Sequence, residues 1–327
     1  MAHEIEMKDG KASFAYTGGA PWHGLGHELP QAFTKDQALE FSGQSWHVYK
    51  APMYIEQDGL AVNIPDQFAI CRDDVAAPGN VLGTTGKVYI PIQNEQIYEI
   101  GDMLVGEGAA VWHTAGVLRG GQIVFATLKL PDSIEVADGD MIDKYLVVVN
   151  WHTGKSAAKL YFSPIRVVCM NTLQASLMAG GIKARICHSG DLSWQFRNAA
   201  DLIGISDKVF SKTADASREL VKVKLSTEQV RGYIWNVFPD LPGKALKRKS
   251  NKTERIRDIV EHLYREGKGN DLPSVRGTAW AAYNAVTEYV DHARLQKSGR
   301  ERRFASSWFG TGTEIRQRAY KYAMAMV

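Results

Sequence analysis

The chain has 327 residues, 45% hydrophobic and 23% charged, which is enough to bury a substantial core and to divide into two domains. No apolar run exceeds seven residues, far short of a membrane span, and Met1-Ala-His-Glu lacks the basic and then apolar start of a secretory signal; a cytoplasmic protein with no membrane partner is expected. The net charge of +3 hides an asymmetry, because Lys244 to Arg303 holds 15 basic and 8 acidic residues and leaves −4 for the rest, a footprint that suits a polyanion or a solvated helix face.

Residues 1–30 are Gly-rich and aromatic-punctuated, with Tyr16-Thr-Gly-Gly-Ala-Pro-Trp-His-Gly-Leu-Gly at their centre, and predict an N-terminal arm that docks through Trp22. A β-rich α+β core is predicted over 31–205. It begins with a short helix from Thr34 to Phe41, followed by strands at Trp46 to Tyr49, Phe68 to Cys71, Val88 to Ile92, Ala110 to Leu118 and Ile123 to Leu130. Arg119-Gly120-Gly121 reads as a hairpin turn, and Asn94 to Val105 as a helix among the strands.

The most structured signal lies between Asp143 and Thr172. Tyr145 to Trp151 is a nearly unbroken apolar run ending in His152-Thr153-Gly154, the pattern of a buried strand entering a tight turn, and Ser156 to Phe162 reads as its hairpin partner. Ser163 then suits an N-cap and Pro164 a first helical turn, with the helix continuing from Asn171 to Ala179 until Gly180-Gly181. This predicts a unit of β-hairpin, strand and helix with Lys155, Lys159 and Arg166 near its hinge. In a first helical turn Arg166 opposes the helix dipole unless an anion or a carboxylate compensates, which leaves a phosphate contact and a structural ion pair both open.

Residues 206–327 predict a mostly helical, basic region. Ser226 and Gln229 form a capping box before Val230, Thr253 suits the cap of a second helix ended by Gly267, a third helix runs from about Gly277 to Leu295, and a fourth from about Thr313. On the third helix Trp280, Tyr283, Thr287 and Val290 form an apolar stripe expected to be buried. Asn284, Glu288, Asp291 and His292 fall on a neighbouring, more polar sector.

Chemistry is sparse. Gly83-Thr-Thr-Gly-Lys87 has two residues between its glycines where a phosphate loop needs four, and Val88 follows the lysine, so it reads as a turn into a strand. Cys71, Cys169 and Cys187 are odd in number and scattered, and are read as small buried hydrophobes. No Gly-x-Ser-x-Gly elbow or nucleophile and base pair emerges; no catalytic residue and no cofactor are expected. Glu288, Asp291 and His292 share one helical face and could present ligands to a divalent metal, or pair with arginines as a polar face. The stronger signal is basic and aromatic. Lys247, Arg248 and Lys249 precede a cationic helix, and Arg300, Arg302 and Arg303 are followed by Phe304 and Trp308, the composition of a groove that holds phosphates and stacks unpaired bases. The same residues also suit a solubilised helical bundle capped by its aromatics.

Several segments resemble the phage and plasmid-related protein family filed as domain of unknown function 932. They are Pro21-Trp-His-Gly-Leu-Gly26, Arg72-Asp73, Leu82-Gly83, Tyr89 to Asn94, Asn150 to Gly154, Ile165-Arg-Val-Val-Cys-Met-Asn-Thr172, His188, and Gly277-Thr-Ala-Trp280 with Tyr283 to Tyr289 and His292. The resemblance implies a mobile element in a bacterial cytoplasm. The expected strand and helix order is in turn similar to phage single-strand annealing proteins, which implies binding and annealing of single-stranded DNA by a homo-oligomeric ring or filament. Lys155, Lys159 and Arg166 would then hold phosphates from the core, the Lys247 and Arg300 clusters from the other side, and Phe304 or Trp308 would stack bases. The rival readings are a metal-dependent nucleic-acid enzyme built on Glu288, Asp291 and His292, and a structural or host-interaction protein whose basic surface binds a protein.

Overall fold

The computed structural model describes residues 5–18, 25–30, 33–106, 110–166, 171–172, 184–201, 206–240, 246–294 and 311–327. Asp9 and Gly10, both at left-handed φ (50° and 76°), turn β1 (Met7–Lys8) into β2 (Lys11–Ala12), the two-residue hairpin that Asp-Gly favours. β3 (Phe14–Tyr16) pairs antiparallel with the strand of residues 111–118, and β4 (His27–Glu28) pairs parallel with β3. The stretch read as an arm therefore supplies strands to the main sheet, and Trp22 lies outside the described residues. α1 (Lys35–Phe41) opens on a capping box: Thr34 Oγ1 accepts from the backbone N–H of Gln37, whose side chain accepts from the N–H of Thr34.

β5 (Val48–Gln57), β6 (Leu60–Arg72) and β7 (Val81–Gly86) form a three-stranded antiparallel sheet. The strands expected at 46–49 and 68–71 are the roots of a longer ribbon closed by Asp58-Gly59, both at positive φ. The strand expected at Val88 to Ile92 is displaced to β7, which takes up Gly83-Thr-Thr-Gly; residues 89–93 are irregular. β7 packs on the turn at Thr153 so tightly that a Cβ on Gly83 would lie 2.5 Å from the Thr153 carbonyl oxygen, a position only glycine fits.

α2 (Gln96–Gly106) lies over the sheet that follows: β8 (Val111–Leu118), β9 (Ile123–Lys129), β10 (Ile134–Ala137), β11 (Asp140–Trp151), β12 (Ala158–Arg166), β13 (Asn171–Thr172) and β14 (Ala184–Ile186). The order across the sheet is β13-β12-β11-β9-β8-β3-β4, with β10 paired to β11 and β14 to β12. Arg119, Gly120 and Gly121, all at positive φ, make the expected turn between β8 and β9. The central strands are covered on both faces, so their apolar runs are continuous rather than alternating. One face carries the larger core, with Trp46, Ile70, Tyr98, Trp112, Leu146, Leu160 and Phe162; the other gathers Phe14, Tyr16, Phe125 and Val149.

The helix expected to start at Pro164 does not form there. β12 continues through Pro164 to Arg166, opposite Ile142, and Asn171–Thr172 is a strand rather than helix; residues 173–183 lie outside the described residues. β11 is twelve residues long, and its ladder with β12 outweighs the helix-start preference of proline. Pro164 is tolerated because β14 pairs the outer edge of β12 only at 158–160 and β13 only at 165–166. Arg166 thus ends a strand, where no helix dipole opposes its charge.

The helices that follow are α3 (Leu192–Asp201), α4 (Ser206–Lys222), α5 (Thr227–Val237), α6 (Leu246–Glu266), α7 (Ala279–Glu288), continued by a π-helical turn (Tyr289–Ala293), and α8 (Thr311–Met324). The Ser226 capping box is present. Thr253 is not the start of that helix, since α6 begins seven residues earlier and Thr253 is interior to it. α4 joins the two cores: Phe210 meets Phe162 edge-on at 5.4 Å, while Leu220 is buried with Tyr233, Ile234, Val260, Trp280 and Tyr283. Val136 and Ile142 of the sheet belong to that helical core, and Trp280 Nε1 donates to Asp140 Oδ2 at 2.7 Å. The chain is thus α+β, with a β-rich part followed by helices. Among the described residues no helix is long and apolar enough to cross a membrane.

Candidate nucleic-acid interface

Ala158, Leu160 and Phe162 of β12 are buried in the larger core, so the alternation of a strand turns Lys159 to the other face. There its Nζ lies 4.6 Å from the centre of the Trp151 ring, a cation over an aromatic face. The register places Lys159 directly opposite Arg185 of β14, and Arg185 is exposed. Like charges directly opposite across two strands repel. Lys155 is exposed in the turn between β11 and β12. That turn is fixed by Gly154, at φ 76°, where a Cβ would meet the Thr84 carbonyl oxygen at 2.3 Å. Lys159, Arg185 and Trp151 therefore form one basic and aromatic patch, and Lys155 lies in the turn that leads into β12. Arg166 does not join it: it ends β12 seven residues beyond Lys159, about 23 Å along the strand at 3.3 Å per residue. Sequence reading missed Arg185, because nothing local announces that β14 adds to the outer edge of β12.

In the helical region, Lys247, Arg248 and Lys249 lie in the first turn of α6. Much of the local charge is used internally. Arg257 donates to the Phe238 carbonyl at 3.0 and 2.7 Å and to Asp240 Oδ1 at 3.0 Å, with its guanidinium 3.5 Å above Trp235; Arg265 pairs with Glu261. Arg300, Arg302, Arg303, Phe304 and Trp308 lie outside the described residues.

The stripe of Trp280, Tyr283, Thr287 and Val290 is buried as expected, but the sector of Asn284, Glu288 and Asp291 is buried too. α7 is small and apolar around its circumference, Ala-Trp-Ala-Ala-Tyr-Asn-Ala-Val, so neighbours close on every side. Glu288 Oε2 accepts from the backbone N–H of Lys268 at 3.1 Å, and Asp291 pairs with Arg316, which is fully buried in α8. The carboxylates thus face different partners, and among the described residues no group of three His, Cys, Asp or Glu is arranged to hold a metal. Of the cysteines expected to be buried, Cys71 is buried, Cys187 is instead exposed just past the end of β14, and Cys169 lies outside the described residues.

Several segments that carry the family resemblance converge on a buried polar junction between the two sheets. Arg72 is enclosed by Glu6 and Asp74, bonds Asp74 at 2.6 and 2.8 Å, and stacks 4.3 Å over Trp46. Burial alone would raise the Asp74 carboxyl, but hydrogen bonds from Arg72 and Lys8 hold it below its ordinary range. Asn94 Nδ2 donates to the carbonyls of Gln44 and Trp46, so its Oδ1 accepts, which puts the proton of His152 on Nε2 at 2.9 Å. Burial, aided by His188 and Arg72, pushes His152 down to about 3. His188 stacks on Tyr89 at 4.5 Å, its Nδ1 lies 3.2 Å from the Ile90 carbonyl, and burial pushes it down to about 4. Both imidazoles are neutral near pH 7 and serve as fixed polar struts. Sequence reading saw His152 only as a turn boundary, since its partner Asn94 is 58 residues away.

No curated protein and no solved structure matches the chain. The profile of the family described as Domain of unknown function (DUF932) matches residues 81–308, from the start of β7 to beyond the π-helical turn, and the chain belongs to that family.

Proposed function

We propose that the chain binds single-stranded DNA, with the patch of Lys159, Arg185 and Trp151, and Lys155 in the turn before it, as its contact on the sheet. The observation that carries this reading is the placement of Lys159 and Arg185 directly opposite one another beside an indole ring. Cations gathered at one place on the sheet attract phosphate oxygens, and aromatic faces beside such cations stack unpaired bases with little regard for sequence. The basic excess from Lys244 to Arg303, with Lys247, Arg248 and Lys249 at the start of α6, supplies a second contact along the strand. Strand annealing in a phage or plasmid setting, in a bacterial cytoplasm, is the role proposed for that binding. A metal-dependent reaction at Glu288 and Asp291 is not advanced, because their oxygens are engaged by the Lys268 amide and by Arg316.

The test is a titration of fluorescent single-stranded DNA, duplex DNA and RNA across a salt series. Single strands should bind most tightly, and the variant Lys159→Ala with Arg185→Ala should flatten the slope of log K against log salt by roughly 0.7 for each phosphate no longer neutralised. Melting temperature is recorded alongside, because the variant also removes the Lys159 contact with the Trp151 ring. Failure of all three nucleic acids to bind at low salt would refute the reading and make a protein partner the default.

A further inference from the structure

Among the described residues, five other than glycine hold a left-handed φ: Asp9, Asp58, Asp66, Asp132 and Arg119. Four are aspartates, whose short side chain tolerates that region; Arg119, at φ 55°, is the exception. With Gly120 at φ 62° it opens the β8–β9 turn on two successive positive φ values, the positions where Asn-Gly is strongly favoured. The backbone disfavours an arginine there, so the turn itself gives no conformational reason for one. The turn is also held in place. A Cβ on Gly121 would lie 2.8 Å from Arg72 Nη1 and 3.1 Å from Leu82 Cδ2, and the backbone N–H of His152 donates to the Gln122 carbonyl at 2.9 Å.

That last bond ties the β8–β9 turn to the β11–β12 turn, so both stand at one end of the main sheet. Arg119 and Lys155 are exposed in the two turns, and Lys159 and Arg185 follow near the start of β12 and in β14. Residues 119–122, 152–157 and 184–186 contain no Asp or Glu. Glu6, next to the Ile5 that bridges Leu118, and Asp74 are both engaged by the buried Arg72. This end of the sheet therefore suits a polyanion. The strand order β12-β11-β9-β8 puts three strand spacings, about 14 Å, between Lys159 and the strand that leads into Arg119. A single phosphate cannot bridge them. We propose that Arg119 is a phosphate contact separate from the Lys159 and Arg185 pair, and that single-stranded DNA crosses this end of the sheet from β14 and β12 to the β8–β9 turn instead of running along the strands. This contact rests on the single-strand binding proposed for the sheet and adds the path of the DNA to it. Because the turn is fixed before binding, its cation is presented without further ordering of the backbone.

Titration of a labelled oligothymidylate with the full chain across a salt series tests this. Arg119→Asn removes the charge and supplies a residue that the left-handed position favours, so it should flatten the slope of log K against log salt by roughly 0.7, while Arg119→Lys should keep the native slope. Added to Lys159→Ala with Arg185→Ala, Arg119→Asn should flatten the slope by a further, equal amount, because it acts on a different phosphate. Circular dichroism reports the fold of each variant. Should Arg119→Asn lose its fold, Arg119→Gly repeats the test with a residue for which positive φ has no steric cost. A native slope in the folded neutral variant, or an Arg119→Lys slope as flat as that variant's, would overturn the contact and leave single-strand binding by the sheet standing. Slope losses that do not add would overturn the separate phosphate and with it the path across the sheet. A native chain that binds no single strand at low salt would remove both the contact and the binding it rests on.

Discussion

Lowering the pH should unfold the protein through its buried histidines before its carboxylates titrate. His152 is wholly buried and held down to about 3, and His188 down to about 4, in each case chiefly by burial. In the unfolded chain both return to about 6.5. Between about pH 6.5 and 4 the unfolded chain therefore takes up protons that the folded chain refuses, so the stability these groups contribute is complete above 6.5 and is lost as pH falls. Each histidine contributes a slope of about 1.4 kcal/mol per pH unit, hence about 3 kcal/mol per unit for the pair and roughly 5 kcal/mol by pH 4.5. That is comparable to the whole stability of many domains, about 5–15 kcal/mol. His113, pushed down to about 4 by burial and by Lys129 against the opposing Asp143, adds in the same sense. The Asp74 carboxyl, held low, contributes a loss only below its ordinary range and leaves this window to the histidines. The assay is urea unfolding followed by circular dichroism at half-unit steps from pH 7 to 4.5. His152→Gln keeps a donor for Asn94 Oδ1 and cannot titrate, so combined with His188→Gln it should flatten the slope by about 3 kcal/mol per pH unit. A slope left intact by the double variant would refute the reasoning.

Trp280→Ala should cost about 3–5 kcal/mol in chemical denaturation, because it empties a fully buried site in the helical core. Trp280→Phe should cost less, about 1–3 kcal/mol, by leaving Asp140 Oδ2 without the indole N–H; equal losses would refute that division. Asp291→Asn should lower stability by removing the charge that pairs with the buried Arg316 guanidinium, and Arg316→Leu with Asp291→Leu should recover part of it; a neutral single variant would contradict the pair's burial. Gly154→Ala should lower stability by at least about 1–3 kcal/mol, from positive φ and the approach to the Thr84 carbonyl, measured as a drop in melting temperature.

The sequence by itself determined what depends on neighbours along the chain. The apolar run at Tyr145 and the Gly154 turn set the β11–β12 hairpin, the Thr227–Val237 helix follows from Ser226 and Gln229, and the buried stripe on α7 follows from its spacing. Tertiary structure decided what depends on partners far away. Pro164 and Ser163 carry the local marks of a helix start, yet β11 offers a ladder twelve residues long, and cross-strand bonds to it outweigh a preference worth a few tenths of a kcal/mol to about one. Asp291 pairs with an arginine, as its sector of the helix allowed, but the burial of that sector and the Lys268 amide on Glu288 come from other elements. The basic patch on the sheet exists because β14 brings Arg185 to Lys159 from 26 residues away, and spacing cannot carry that information. Periodicity records which face of an element is apolar; which other element arrives there is set by the packing of the whole chain.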